Sequence, residues 1–193
     1  MTSRAGEPFV PARAVAEAEQ LLATAVPPTG PTTAHGDPAT GEWTATEGAG
    51  FRIVPLWEGD PLTGVYAPEW NDAEDAAEAH LAGLAEELDH RWGPHTTVRL
   101  HVALLRRQSG GGAPVEPLFQ ALFAEDLYGD LTLWGPIGAV GPGGSGDRWF
   151  AVTVGHSDGD APLVLAALVS DRPVTEPNGG PASPREGRER PYH

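Results

Sequence analysis

The chain has 193 residues, 27 of them acidic and 12 basic, for a formal net charge of −15; that length fits one folded domain with flanking segments. It contains no cysteine, and every one of its 12 basic residues is arginine. Disulfides, thiolate metal centres and thiol nucleophiles are thereby excluded, as are a Walker A loop and a lysine Schiff base; an acidic chain without a basic patch also suits nucleic acid poorly, since that affinity rests on cations displacing counterions.

The first residues lack the apolar stretch of a secretory signal, and no window approaches the roughly 20 apolar residues of a membrane span. The expectation is a cytoplasmic protein with no membrane or nucleic-acid partner.

In chain order, residues 12–25 read as a short helix, with Ala14, Ala18, Leu21, Leu22 and Ala25 on one stripe, stopped by Pro27 and Pro28. Residues 29–50 are rich in Thr, Gly, Ala and Pro and read as a flexible linker. Residues 51–57 read as a strand in which Pro55 demands an edge position or a bulge, and residues 58–70 as an irregular loop. Asn71 or Asp72 can cap the strongest helix, 73–92, whose apolar line is Ala77, Leu81, Leu84, Leu88 and Trp92, and which Gly93-Pro94 ends. Residues 96–105 alternate as a strand, Val98, Leu100, Val102 and Leu104 against Arg99 and His101. A helix over 114–127 follows, with Leu118, Leu122 and either Phe119 or Phe123 facing inward. A strand at 130–134 and a glycine loop at 137–146 lead to two strands, 148–154 and 163–170, joined as a hairpin through Asp158-Gly159.

This order predicts an α+β two-layer sandwich: a mixed sheet of about five strands, helices on one face, and disordered tails. The predicted organisation is a helix and linker over 1–50, one folded domain over 51–171, and a disordered Pro- and Arg-rich tail over 172–193.

Two literal motifs lack their structural context. Gly155-His156-Ser157-Asp158-Gly159 spells G-x-S-x-G, but a nucleophile elbow needs an acid and a histidine later in the fold, and His193 is the sole later histidine. Gly141-Pro142-Gly143-Gly144-Ser145-Gly146 spells G-x-G-x-x-G, but a strand rather than a helix is predicted after it. The seven histidines show no helical metal-ligand spacing. No catalytic residue, metal or cofactor is assigned.

Charge is the strongest signal. From Glu58 to Asp89 the chain carries ten acidic residues and no arginine. Like charges at helical spacing repel by a few tenths of a kcal/mol each, so a helix shaped by stability alone would mix signs. A solvated face that keeps the protein soluble is the plain explanation. The functional one is a surface for a basic protein partner, in the manner of an inhibitor, antitoxin, immunity or accessory protein, formed by Glu58, Asp60, Trp70, Asp75, Glu78, Glu86 and Asp89. Neutralising Asp75, Glu78, Glu86 and Asp89 is then expected to slow association. The alternative is a small enzyme or ligand-binding domain with a pocket on the sheet face around Arg52, Arg99 and His101, beside Trp134 or Trp149.

Overall fold

The computed structural model describes residues 6–62, 64, 67–101, 103–105, 115–138, 146–155 and 161–176. Its centre is a seven-stranded sheet. The strands are β1 (Thr33–Gly36), β2 (Trp43–Gly48), β3 (Phe51–Glu58), β4 (Thr96–Val98), β5 (Leu131–Ile137), β6 (Arg148–Gly155) and β7 (Val164–Ser170). Their order is β1-β2-β3-β7-β6-β5-β4, and all six neighbouring pairs are antiparallel. The protein is therefore α+β as expected, but the sheet has seven strands rather than five and is not mixed.

Among the helices that accompany it are α1 (Pro11–Ala23), α2 (Ala67–Trp92) and α3 (Pro117–Ala124). Side chains alternate across a strand, and both faces of this sheet are apolar. Phe150, Val152, Leu165, Ala167 and Val169 belong to a buried cluster with Ala14, Ala18 and Leu22 of α1 and Leu84 and Leu88 of α2. The intervening Ala151, Ala166 and Leu168 belong to a second cluster with Leu118, Phe119, Leu122 and Phe123 of α3. Helical residues thus pack into both clusters, whereas the sequence reading placed the helices on one face.

The largest departure lies in residues 33–48. Expected as linker, they form the β1–β2 hairpin, which continues the sheet from β3. Its turn is set by Asp37, whose Oδ1 accepts the N–H of Ala39 at 2.7 Å and of Thr40 at 3.1 Å. Strand β1 is exposed throughout, so main-chain pairing rather than burial holds it. Residues 51–171 are accordingly not the whole packed unit, since α1, β1 and β2 join it.

The strand expected over 96–105 stops at Val98, and the described residues 101 and 103–105 are helical, with Leu104 N–H bonded to Leu100 O at 3.0 Å. Helix α3 is shorter than the expected 114–127. It starts at Pro117, whose missing N–H suits a first turn, and ends where Asp126 turns to φ 54°. Helix α2 starts earlier than expected, inside the stretch read as a loop.

Pro55 sits at a bulge: β3 is interior, and its register against β7 shifts between Pro55 and Trp57. In the expected tail, Val174 is buried in the second cluster, and Glu176 Oε1 accepts the N–H of Arg99 at 3.2 Å; residues 177–193 lie outside the described residues. So do Ser157 and the central glycines 141 and 143–144, but both segments connect antiparallel strands, β6 to β7 and β5 to β6. The next described element after each is a strand, whereas an elbow or a dinucleotide loop is followed by a helix. Among the described residues no helix is long and apolar enough to cross a membrane.

Candidate functional site

Two clefts meet at Asp126. The larger, about 600 Å³, lies between α2 and the loop entering β5. Its carboxylates are Glu74 and Glu78 from α2 and Asp126 and Asp130 from the loop; Leu81, Val154 and Leu163 supply apolar wall. The smaller, about 210 Å³, is lined by Glu42, Glu58, Glu125 and Asp126, with Trp43, Pro55, Pro162 and Val164 as wall. Seven carboxylates therefore line this pair of clefts, an acidic groove in two parts that share Asp126, and among the described residues no arginine or histidine lines either part.

The loop between α3 and β5 is wedged against the end of β6, and this fixes the junction. A Cβ on Gly129 would lie 2.3 Å from Val154 O, and one on Gly155 would lie 2.8 Å from Asp126 O. Tyr128, 41% exposed, donates its hydroxyl to Asp126 Oδ1 at 2.8 Å and stacks on Phe123 at 5.7 Å. The Leu100 N–H donates to Asp130 Oδ1 at 3.1 Å. In the smaller cleft, Trp43 Nε1 donates to Thr46 Oγ1 at 2.9 Å, and the Thr46 hydroxyl donates to Glu125 Oε1 at 2.6 Å. Burial, and then the neighbouring charge of Glu42, raise the proton affinity of Glu58 above the ordinary carboxylate value.

The groove takes only part of the expected surface. Glu58 and Glu78 line it. Asp75 and Glu86 are exposed on α2 outside the residues that line either cleft. Asp60 is exposed beside Gly6, and Trp70 is half-buried against the first core cluster as an anchor. Asp89 is held by internal bonds, accepting from Trp134 Nε1 at 2.9 Å, from the His95 N–H at 3.1 Å, and meeting His95 Nδ1 at 3.0 Å.

The residues of the alternative pocket are not brought together. Arg52 of β3 bonds Glu47 at 2.8 Å and lines a different cleft beside α1. Arg99 and His101 follow β4, which is four strand positions from β3, roughly 19 Å at the usual strand spacing. Trp134 is buried in the first core cluster, and Trp149 packs against the second.

Glu42, Glu74, Glu125, Asp126, Tyr128 and Asp130 were not read from the sequence as site residues. One signal for them is there: Glu125 and Asp126 end α3, where the helix dipole disfavours negative charge.

No family model, curated protein or solved structure matches the chain. Among the described residues no three of His, Asp or Glu converge to hold a metal ion. The seven carboxylates are distributed over the two clefts.

Proposed function

We propose that this protein binds a basic protein segment, seating its arginine or lysine side chains in the acidic groove that bends at Asp126. The observation that carries this reading is the pair of adjoining clefts with seven carboxylates and no lining cation among the described residues. The walls add to it. Leu81, Val154, Leu163, Trp43 and the pyrrolidine rings can cover the methylene stems of long basic side chains while the carboxylates meet their heads. Tyr128 and Trp43 offer ring faces to a guanidinium. Glu125 and Asp126 stand at the end of α3, where the helix dipole disfavours negative charge and a bound cation would relieve it. The groove thus replaces the whole acidic face of α2 as the proposed contact surface.

The test separates the groove from net charge. The probe is a synthetic nine-residue peptide alternating arginine and leucine, and association is followed at low salt. Neutralising Glu74 and Glu78 to Gln should slow association about tenfold and flatten its salt dependence, because steering by close charges is screened over about 10 Å at 0.1 M. Neutralising Asp75 to Asn and Glu86 to Gln removes as much charge from the same helix but outside the groove, and should change the rate less than twofold. Equal effects from the two pairs would reduce the groove to unspecific attraction and overturn the reading. Binding should also weaken as pH falls, beginning with Glu58, whose proton affinity is raised.

A further inference from the structure

Residues 6–10 cross the end of β3 before α1 begins, and a histidine lies beneath them. The Gly6 N–H is shared between Glu58 O at 3.3 Å and Gly59 O at 3.2 Å, and Trp57 Nε1 donates to Glu7 O at 2.9 Å. Phe9 stacks on the His80 imidazole of α2, with centroids 4.4 Å apart and planes at 18°. Trp57 meets the same imidazole edge-on at 4.8 Å and lies 6.3 Å from Phe9, so it stands beside the stack rather than across the ring from it. One ring of α2 therefore holds both the incoming segment and the strand it covers.

We propose that this segment is an acid-released latch, with His80 as its proton sensor and the end of β3 as the surface it uncovers. Among the charged groups on the elements packed around the imidazole are one arginine and four carboxylates. From the segment and α1 these are Glu7, Arg13 and Glu17; Arg13 pairs with Glu7 at 3.0 Å and Glu17 at 3.1 Å. From β3 and the residues after it they are Glu58 and Asp60. On α2 itself, the positions one turn away are Ala76, Ala77, Gly83 and Leu84, none of which titrates. Burial alone lowers the proton affinity of His80 below its ordinary value of 6.5. A latched state that binds its proton more weakly than the open state is favoured above pH 6.5. It loses ground as pH falls through 6.5 and levels off below the lowered value. Because the latch bonds the main chain of Glu58, whose side chain lines the groove, opening frees the carbonyl beside one of the groove carboxylates.

The latch is tested on the full chain by following the His80 ring and the Gly6 amide by NMR between pH 8 and pH 5. The expected results are a His80 midpoint below 6.5, the Gly6 resonance moving with that midpoint, and at least a threefold loss of Gly6 exchange protection, corrected for intrinsic rate, across it. Amides of β7 should not move, which separates latch opening from unfolding. His80→Phe keeps a ring under Phe9 and removes the proton, and should leave Gly6 protection independent of pH. Phe9→Leu strips the stack from one side and should bring the His80 midpoint back toward 6.5. A His80 midpoint at or above 6.5 would mean that the flanking rings stabilise the imidazolium by cation–π attraction, and would overturn the proposal. So would a loss of Gly6 protection with pH that persists in His80→Phe.

Discussion

Gly129→Ala should destabilise the protein by about 3 kcal/mol, at the upper end for overpacking a well-filled site. The new Cβ would stand 2.3 Å from Val154 O and 2.9 Å from Thr153 Oγ1. Neither neighbour can yield easily. Val154 lies within β6, paired with Leu165 of β7, and the Thr153 hydroxyl already donates to Gly129 O at 2.9 Å. Relief requires lifting the 125–129 loop, which carries Asp126 and Tyr128, so peptide binding should fall along with stability. Gly83→Ala is the matched control. Gly83 lies within α2 with nothing within 4 Å of a Cβ, and alanine there should stabilise by about 0.8 kcal/mol through helix propensity. Urea denaturation of the two variants, read by tryptophan fluorescence, checks both signs; a Gly129→Ala loss below 1 kcal/mol would show that the loop is not wedged.

Asp89→Leu should cost about 2 kcal/mol, the penalty for leaving a buried donor without its acceptor. That donor is the indole N–H of Trp134, a residue 1% exposed, and Asp89 also fastens His95 just beyond the end of α2. The pH dependence gives a second readout. Burial pushes the Asp89 proton affinity up, but hydrogen bonds from His95 and Trp134 and the His95 charge outweigh it, so the carboxyl lies below its ordinary 3.8. A depressed carboxyl contributes stability that is complete above 3.8 and is lost as pH falls through the lower folded value. Acid unfolding of the wild type should therefore be steeper below pH 3.8 than that of Asp89→Leu. Parallel curves would show that the carboxylate is not the coupled group.

The two variants also mark where the sequence was informative. Helices α1 and α2 were legible because each carries an apolar line at helical spacing, and strands β3, β6 and β7 because each is a short apolar run rich in β-branched and aromatic residues. The β1–β2 hairpin was not, because Thr33–Gly36 buries nothing and is held through backbone pairing that any residues can supply. Residues 96–105 misled for a different reason. Leu100 and Leu104 fit alternation in a strand, but they are also one helical turn apart, and the buried Ala103 follows Leu100 by three. Charge excess singled out Glu58 and Glu78, which line the clefts, and carried the expectation of a basic partner. It did not locate the groove, since Glu42, Glu125, Asp126 and Asp130 reach it only through tertiary packing. Arg52 and His101 looked equally available in sequence, and strand order alone keeps them apart.

Among the described residues β7 is the last strand in chain order, yet it lies between β3 and β6. During synthesis, everything needed for the two halves of the sheet leaves the ribosome before the strand that joins them. Until Val164–Ser170 emerges, β3 and β6 each present a long apolar edge with no native neighbour, the kind of exposure that recruits other chains. Closure of the sheet therefore waits for residues 164–170, and a nascent chain stalled before residue 164 should depend on chaperones to stay in solution more than one in which residues 164–176 have emerged.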